Sequence, residues 1–256
     1  MENRIAIITG ASSGIGEATA IRLAKQGIKM ILTGRNEKEL NRVEDRINDK
    51  EHVKMCYTIS GDISDPKTID SCIAKCINVW QQPPNVFLAA AGRGLPGTLL
   101  SSDSDQWNDL INTNINALFY QLKSISRVML KQASSKKFVN FPSDIIVIGS
   151  TVGRNVSPFN SVYGATKFAA HGLTEALRRE LSVQGIRVTL IEPGLVKTNF
   201  QKTAGYDQNW FDKYAEEVGP VLDGDDVAKV IEFLIDLPGN VHMDNISIRP
   251  TRQSYP

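Results

Sequence analysis

The stretch SVYGATKFA, residues 161–169, sets Tyr163 and Lys167 four positions apart. Four residues are about one helical turn, so the two side chains share a face if the segment is helical. A phenol with an ordinary pKa near ~10 keeps its proton at neutral pH, and a neighbouring ammonium eases its release. Lowering that pKa by about three units takes roughly 4 kcal/mol of preferential phenolate stabilisation. The pair therefore reads either as a proton donor with its activator or as a half-buried structural tyrosine beside a lysine. The rest of the chain has to decide.

A second constellation lies near the N-terminus, where an apolar run leads into TGASSGIGEATA with Gly10, Gly14 and Gly16 in the spacing G-x-x-x-G-x-G. At a strand-to-helix turn, absent side chains let backbone amides approach a diphosphate at the helix N-terminus. The other reading is a plain tight turn, and the spacing is not the G-x-G-x-x-G of long-chain dinucleotide enzymes. The next apolar run ends in LTGRNEKEL, giving Thr33, Gly34, Arg35 and Asn36 with no carboxylate before Glu37. In a dinucleotide fold an acidic residue here holds the ribose 2′-hydroxyl, whereas an arginine accommodates a 2′-phosphate through charge-assisted hydrogen bonds. Arg35 thus favours NADP(H) over NAD(H), unless it is a solvated residue at a helix start.

The elements that must position these groups are visible as apolar, β-branched runs alternating with amphipathic stretches. Strands are expected at 4–9, 28–33, 53–59, 86–90, 144–150, 186–192 and 245–250, and helices near 15–26, 36–50, 66–81, 104–132, 160–183 and 224–236. Nearly continuous apolar strands signal burial on both faces, the mark of a parallel sheet. The βαβα order predicts an α/β fold, a Rossmann-type doubly wound parallel sheet of about seven strands flanked by helices with right-handed crossovers. No repeat, linker or compositional break divides residues 1–256, so one domain is expected. Two segments are too long for simple connections. One is the polar loop 134–143. The other is 195–222, which carries Phe200, Tyr206, Trp210, Phe211 and Tyr214 and reads as a substrate-binding lid or as a short helix packed by its aromatics.

Composition narrows the partners. A net charge of +1 gives no electrostatic reason to expect nucleic acid or an anionic membrane surface. No apolar run approaches the roughly 18 residues that span a bilayer, and Met1-Glu2-Asn3-Arg4 leads straight into the first strand without a secretory signal. Cys56, Cys72 and Cys76 form an odd set compatible with a reducing cytoplasm. Cys72 and Cys76 have i, i+4 spacing, yet His52, His171 and His242 are scattered, so core cysteines are expected and no metal.

Taken together these motifs resemble the short-chain dehydrogenase/reductase family over essentially the whole chain. TGASSGIG, with Ser12, Ser13 and Ile15 among its glycines, is similar to the family's cofactor turn, and GDISD, with Asp62 and Ile63, to its adenine-contact segment. Ser150 stands thirteen residues before Tyr163, Asn114 seven after Trp107, and EPGLVKT supplies Pro193, Gly194, Val196 and Thr198. The resemblance implies that Tyr163 is the acid/base and that Lys167 lowers its pKa and holds the nicotinamide ribose. Ser150 would orient the substrate oxygen, and Asn114 would position a water linking Lys167 to solvent. Without the resemblance, Ser150 reads as a strand-end residue and Asn114 as a helix-backbone partner.

The wording IGSTVG…VYGATK…IEPGLVKTNF and the tail ISIRPTRQ resemble most the NADP-dependent 3-hydroxy acid, serine and allo-threonine dehydrogenases and their carbonyl-reductase relatives. A departure is Ala89-Ala90-Ala91-Gly92, where the family has Asn-Asn-Ala-Gly; this removes a hydrogen bond or two worth roughly 1 kcal/mol each and leaves Ala90 and Gly92 to face the ribose. The implied activity is hydride transfer between NADP(H) and a small alcohol or carbonyl, a hydroxy acid or a ketone. Arg154 and Arg187 are candidate carboxylate partners if the substrate is a hydroxy acid, or else surface or packing arginines. The alternatives are a non-catalytic NADP(H)-binding regulator, which the retained Tyr163 and Lys167 argue against, and a sugar-nucleotide epimerase, which the length and glycine spacing argue against. The resemblance also implies a homo-oligomer, dimer or tetramer, paired through the long helices and C-terminal strands.

Overall fold

Each strand forms from successive rather than alternate apolar residues, so both of its faces need a covering layer. The computed structural model describes residues 4–49, 54–133 and 138–255. The parts of the expected N-terminal lead, helix 36–50, strand 53–59 and loop 134–143 that fall on 1–3, 50, 53 and 134–137 lie outside them, as do His52 and Pro256. In chain order the elements are β1 (Ile5–Thr9), α1 (Gly14–Lys25), β2 (Lys29–Gly34), α2 (Glu37–Asn48), β3 (Cys56–Ser60), α3 (Pro66–Trp80) and β4 (Val86–Ala89). There follow α4 (Trp107–Ile111), α5 (Ala117–Gln132), β5 (Ser143–Ile148), α6 (Ser161–Ser182), β6 (Ile186–Pro193), α7 (Phe200–Ala204), α8 (Gln208–Val218), α9 (Gly224–Asp236) and β7 (Asn245–Ile248).

All strand pairs are parallel, in the order β3-β2-β1-β4-β5-β6-β7. This is the doubly wound α/β domain expected from the pattern. The strand order reverses between β1 and β4, and a crevice opens where such reversals occur. In β1, Ile5 and Ile7 join Ile69, Phe87, Ile125 and Ile145 on one side, while Ala6 and Ile8 join Leu23, Val227 and Ile231 on the other. Cys72 and Cys76 are fully buried on the first of these sides, and burial pushes the Cys72 thiol up to about 12.

Helix starts follow local chemistry. Asn36 caps α2 by accepting from the Glu39 amide, Asp65 caps α3 ahead of Pro66, and Asp223 and Asp226 form a capping box on α9. Ser13 at the start of α1 makes no such side-chain bond. The helix expected over 104–132 is interrupted by a π turn at Asn112–Asn116 between α4 and α5. One residue too many for an α-helical turn rotates Asn114 inward, where it is 5 % exposed. The segment 195–222 contains α7 and α8, and its two ends meet: Lys197 donates to the Leu222 carbonyl at 2.8 Å, and Leu222 to Leu195 at 3.2 Å.

A buried ion cluster sits at the amino ends of β1, β5 and β6, opposite the crevice. Asp144 accepts from Arg187 at 2.6 and 3.0 Å and pairs with Arg4. Arg187 also donates to the carbonyls of Leu237, Pro238 and Val241 at 3.0–3.1 Å. Of the two readings of Arg187, the packing arginine holds and the partner for a substrate carboxylate does not: it lies near the start of β6, is 5 % exposed, and its guanidinium is spent on Asp144 and three backbone carbonyls.

Candidate active site

The carboxyl ends of the strands frame a cleft of about 1410 Å³. Of the residues singled out in the sequence for cofactor or chemistry, all but Asn114 line it: Gly10, Ser12, Ser13, Gly14, Ile15, Gly16, Arg35, Asp62, Ile63, Ala90, Gly92, Ser150, Tyr163, Lys167, Pro193, Gly194, Val196 and Thr198. Asn114 lies buried beneath the floor.

At one end, β1 runs into Gly10 with φ +65, a backbone region that favours glycine; a Cβ there would stand 2.8 Å from the Ala91 amide. The N-terminus of α1 faces the cleft without a capping side chain, so its first amides and positive dipole end are open to an anion. Arg35 is exposed at the rim and makes no salt bridge among the described residues, whereas Arg42 is held by Glu17 and Glu39. The Asp62 carboxylate is held below its ordinary range chiefly by the Ser64 amide and hydroxyl, with Arg35 adding a smaller attraction. Where the family has asparagines, the Thr9 hydroxyl links the strand ends, accepting from Ala91 N–H at 3.2 Å and donating to the Leu88 carbonyl at 3.4 Å. These features fit a dinucleotide: a bare helix start for the diphosphate, an uncommitted guanidinium at the ribose end, and small residues where backbone must come close.

At the other end, α6 brings Tyr163 and Lys167 onto one buried face, 7 % and 8 % exposed. Lys167 Nζ donates to the Ile148 carbonyl at 2.9 Å and stands 5.8 Å from the centre of the Tyr163 ring. Burial lowers Lys167 to about 8. Burial, reinforced by Tyr206, raises the Tyr163 phenol, and the Ser150 hydroxyl pulls it back only in part. Lowering of the phenol by Lys167 thus does not arise from the protein alone, because the ammonium is itself desolvated and turned toward a backbone carbonyl. Ser150 opens the 3-10 turn Thr151–Gly153, its Oγ accepting from Val152 N–H at 3.3 Å. Asn114 Oδ1 accepts from Arg93 N–H at 2.9 Å, while its amide donates to the Arg93 carbonyl at 2.9 Å and Thr166 Oγ1 at 3.0 Å.

The outer wall was only partly legible in the sequence. Phe200 packs against Tyr163 with ring centres 5.8 Å apart, and Asn160 donates to the Tyr206 hydroxyl at 3.4 Å. The C-terminal residues complete this wall: Gln253 accepts from Leu195 N–H at 2.8 Å, Tyr214 donates to the Tyr255 carbonyl at 2.7 Å, and the Tyr255 phenol donates to Val156. No periodicity or motif marks Asn160 or Tyr255; only the fold brings them here. Arg154 is directed away from the cleft and held bidentately by Glu192 at 2.9 and 3.0 Å, so it too is no free carboxylate partner. Among the described residues no helix is long and apolar enough to cross a membrane, and no group of three His, Cys, Asp or Glu side chains is arranged to hold a metal.

With this geometry in place, the family model described as short chain dehydrogenase matches residues 4–209, and the chain belongs to that family. An uncharacterized oxidoreductase of Staphylococcus epidermidis is 31% identical over 250 residues, covering 98% of each chain. The closed form of a serine dehydrogenase complexed with NADP+ superposes with a TM-score of 0.85 at 27% identity, covering 98% of this chain and 96% of that one. Serine dehydrogenase from Escherichia coli gives 0.79 at 26% identity over 98% of this chain and all of its own. The protein is an oxidoreductase of the short-chain dehydrogenase family.

Proposed function

We propose that the protein transfers a hydride between NADP(H) and an alcohol/carbonyl pair, with Tyr163 as acid/base. The observation that carries this reading is the meeting of Tyr163, Lys167 and Ser150 at one end of a cleft whose other end is the bare α1 N-terminus and Arg35. When bound, the dinucleotide supplies or accepts the hydride. Burial keeps the Tyr163 phenol protonated, so in the reductive direction it donates that proton to the oxygen of the reacting carbonyl. The Ser150 hydroxyl orients the same oxygen. Lys167 spends one donor on Ile148 and keeps the others for the nicotinamide ribose. Asn114 retains one lone pair on Oδ1 for a water between Lys167 and solvent. The segment 195–222, closed on itself at Leu195–Leu222, acts as the lid. In this reading the protein works in a reducing cytoplasm and pairs with copies of itself, the exposed Ile111, Phe119 and Phe168 contributing to that contact.

The substrate end favours an uncharged ketone over a hydroxy acid. Of the described cations lining the cleft beside Tyr163, Arg93 is paired with Asp109 and Gln106, Lys167 is turned to Ile148, and Lys197 is exposed at the rim. The walls there are Phe159, Phe200, Tyr206 and Phe211. A carboxylate brought against them gains little to offset its lost hydration. The test is NADPH consumption with aromatic and aliphatic keto-esters and their free acids, together with serine and 3-hydroxy acids in the oxidative direction. Turnover of the esters at rates well above the acids is expected; absence of turnover across the panel overturns the reading, and preference for the acids overturns its substrate half.

For cofactor choice, Arg35→Asp replaces an exposed guanidinium by a charge that repels the 2′-phosphate. The ratio of kcat/KM for NADPH over NADH is expected to fall by roughly 30- to 100-fold. An unchanged ratio would place recognition of the 2′-position on other residues.

A further inference from the structure

Ser150 is gripped from behind by a side chain that does not line the cleft. His171 follows Lys167 by one turn on α6, and its Nε2 accepts from the Ser150 backbone N–H at 3.3 Å. The ring fits only because its neighbours are glycines: a Cβ on either Gly149 or Gly153 would stand 2.4 Å from Nε2. Since the Ser150 amide can only donate, Nε2 is the bare nitrogen and Nδ1 carries the proton. Nδ1 lies 3.4 Å from Glu192 Oε1.

Glu192 is 1 % exposed and directly precedes Pro193 on the cleft floor. Its oxygens also accept from Arg154, from Asn245 at 3.0 Å and from Ser247. Burial would raise this carboxylate, but those donors outweigh burial and leave it lowered, hence ionised and purely an acceptor. His171 is lowered to about 4, first by burial and then by the charges of Lys167 and Arg154 against the pull of Glu192, so its acceptor nitrogen persists at neutral pH.

We propose that His171 is a positioning residue for hydride transfer: with its tautomer set by Glu192, it fixes the Ser150 amide and thereby the angle at which the Ser150 hydroxyl meets Tyr163 and the substrate oxygen. This rests on the reading of Ser150 as a catalytic residue. The brace also links the serine to the helix that carries Tyr163 and Lys167, so the three groups move together. A second cavity of about 450 Å³ opens beside the ring, between Arg154, His171, Glu192, Arg178 and Asp244, which leaves room for substitutions at 171.

The test compares wild type, His171→Leu, His171→Gln and Ser150→Ala. Steady-state kinetics with NADPH and the best carbonyl, thermal melting, and hydrogen exchange of the peptide containing Ser150 are measured on each. His171→Leu is expected to lower kcat by roughly 30-fold while KM for NADPH stays within about twofold, because misorientation of a reacting group penalises the rate and not cofactor binding. The Gln variant, whose Oε1 reaches the place of Nε2, is expected to recover most of the rate and of the Ser150 amide protection lost in the Leu variant. Wild-type kcat in His171→Leu overturns the proposal, as does equal loss in Leu and Gln that merely follows their melting temperatures. Should wild type turn over no carbonyl, the catalytic reading fails, and the brace is judged by exchange alone: unchanged Ser150 protection in His171→Leu refutes it.

Discussion

Tyr163→Phe is expected to lower kcat for carbonyl reduction by about 10³-fold or more while leaving NADPH affinity within a factor of about two, since a positioned general acid contributes 10²- to 10⁴-fold. The substitution is conservative in every respect but one. The ring sits in a small apolar cluster with Leu95, Leu110 and Val152 and against Phe200, and phenylalanine preserves that packing. What disappears is the O–H that burial keeps protonated and that faces Ser150. Lys167, the α1 N-terminus and Arg35 remain, so cofactor titration by fluorescence is expected to be unchanged. Turnover retained in this variant would remove Tyr163 from the chemistry. The raised phenol also gives a direction to the pH dependence. Reduction uses the protonated form, which the protein favours through neutral pH; oxidation needs the deprotonated form, so its rate is expected to climb with pH.

The largest effect on stability is expected from Asp144→Ala. Asp144 is 4 % exposed and is the shared partner of Arg4 and Arg187, themselves 9 % and 5 % exposed. Removing it leaves two guanidiniums in the interior with no carboxylate, and breaking a buried pair in this way costs about 3–5 kcal/mol. For a chain of this size that corresponds to a fall in Tm of roughly 6–20 °C. Asp144→Asn, which keeps the shape and an acceptor oxygen, is expected to fall between the two. Thermal melts of the three proteins, with kcat measured well below the transition, check both parts. Asp144 is the second residue of β5 and Ser150 follows its other end, so folded Asp144→Ala is expected to retain its rate. A shift in Tm smaller than about 2 °C would show that solvent reaches and screens the arginines once the carboxylate is gone.

Local chemistry made much of the molecule readable without coordinates. Short, β-branched runs apolar at consecutive positions, such as RIAIIT and DIIVIGS, read as strands covered on both faces, and their alternation with amphipathic stretches leaves few topologies. The glycine turn, Arg35 and the Tyr163–Lys167 spacing were legible for the same reason: each rests on groups within one or two turns of backbone. Most strand and helix ends among the described residues lie within one or two residues of where the pattern puts them, the usual reach of fraying and capping.

The remainder is set by pairs far apart in the chain. Arg187 read as a ligand group until Asp144 appeared beside it across neighbouring strands, and His171 read as one of three scattered histidines until α6 turned it against Ser150. The π turn that rotates Asn114 into the floor has no local signature, because it depends on Arg93 and Thr166 offering that amide its bonds. Nor does a sequence say that Tyr163 is raised rather than lowered; burial decides it, with Tyr206 beside the phenol. By itself, then, the sequence determined the parallel sheet, the glycine turn after its first strand and the shared helix face of Tyr163 and Lys167, since periodicity and short-range spacing suffice for these. Tertiary structure alone decided which charges are spent on the fold, which are free at the cleft and what holds Ser150, because desolvation and hydrogen bonding act through space and are indifferent to distance along the chain.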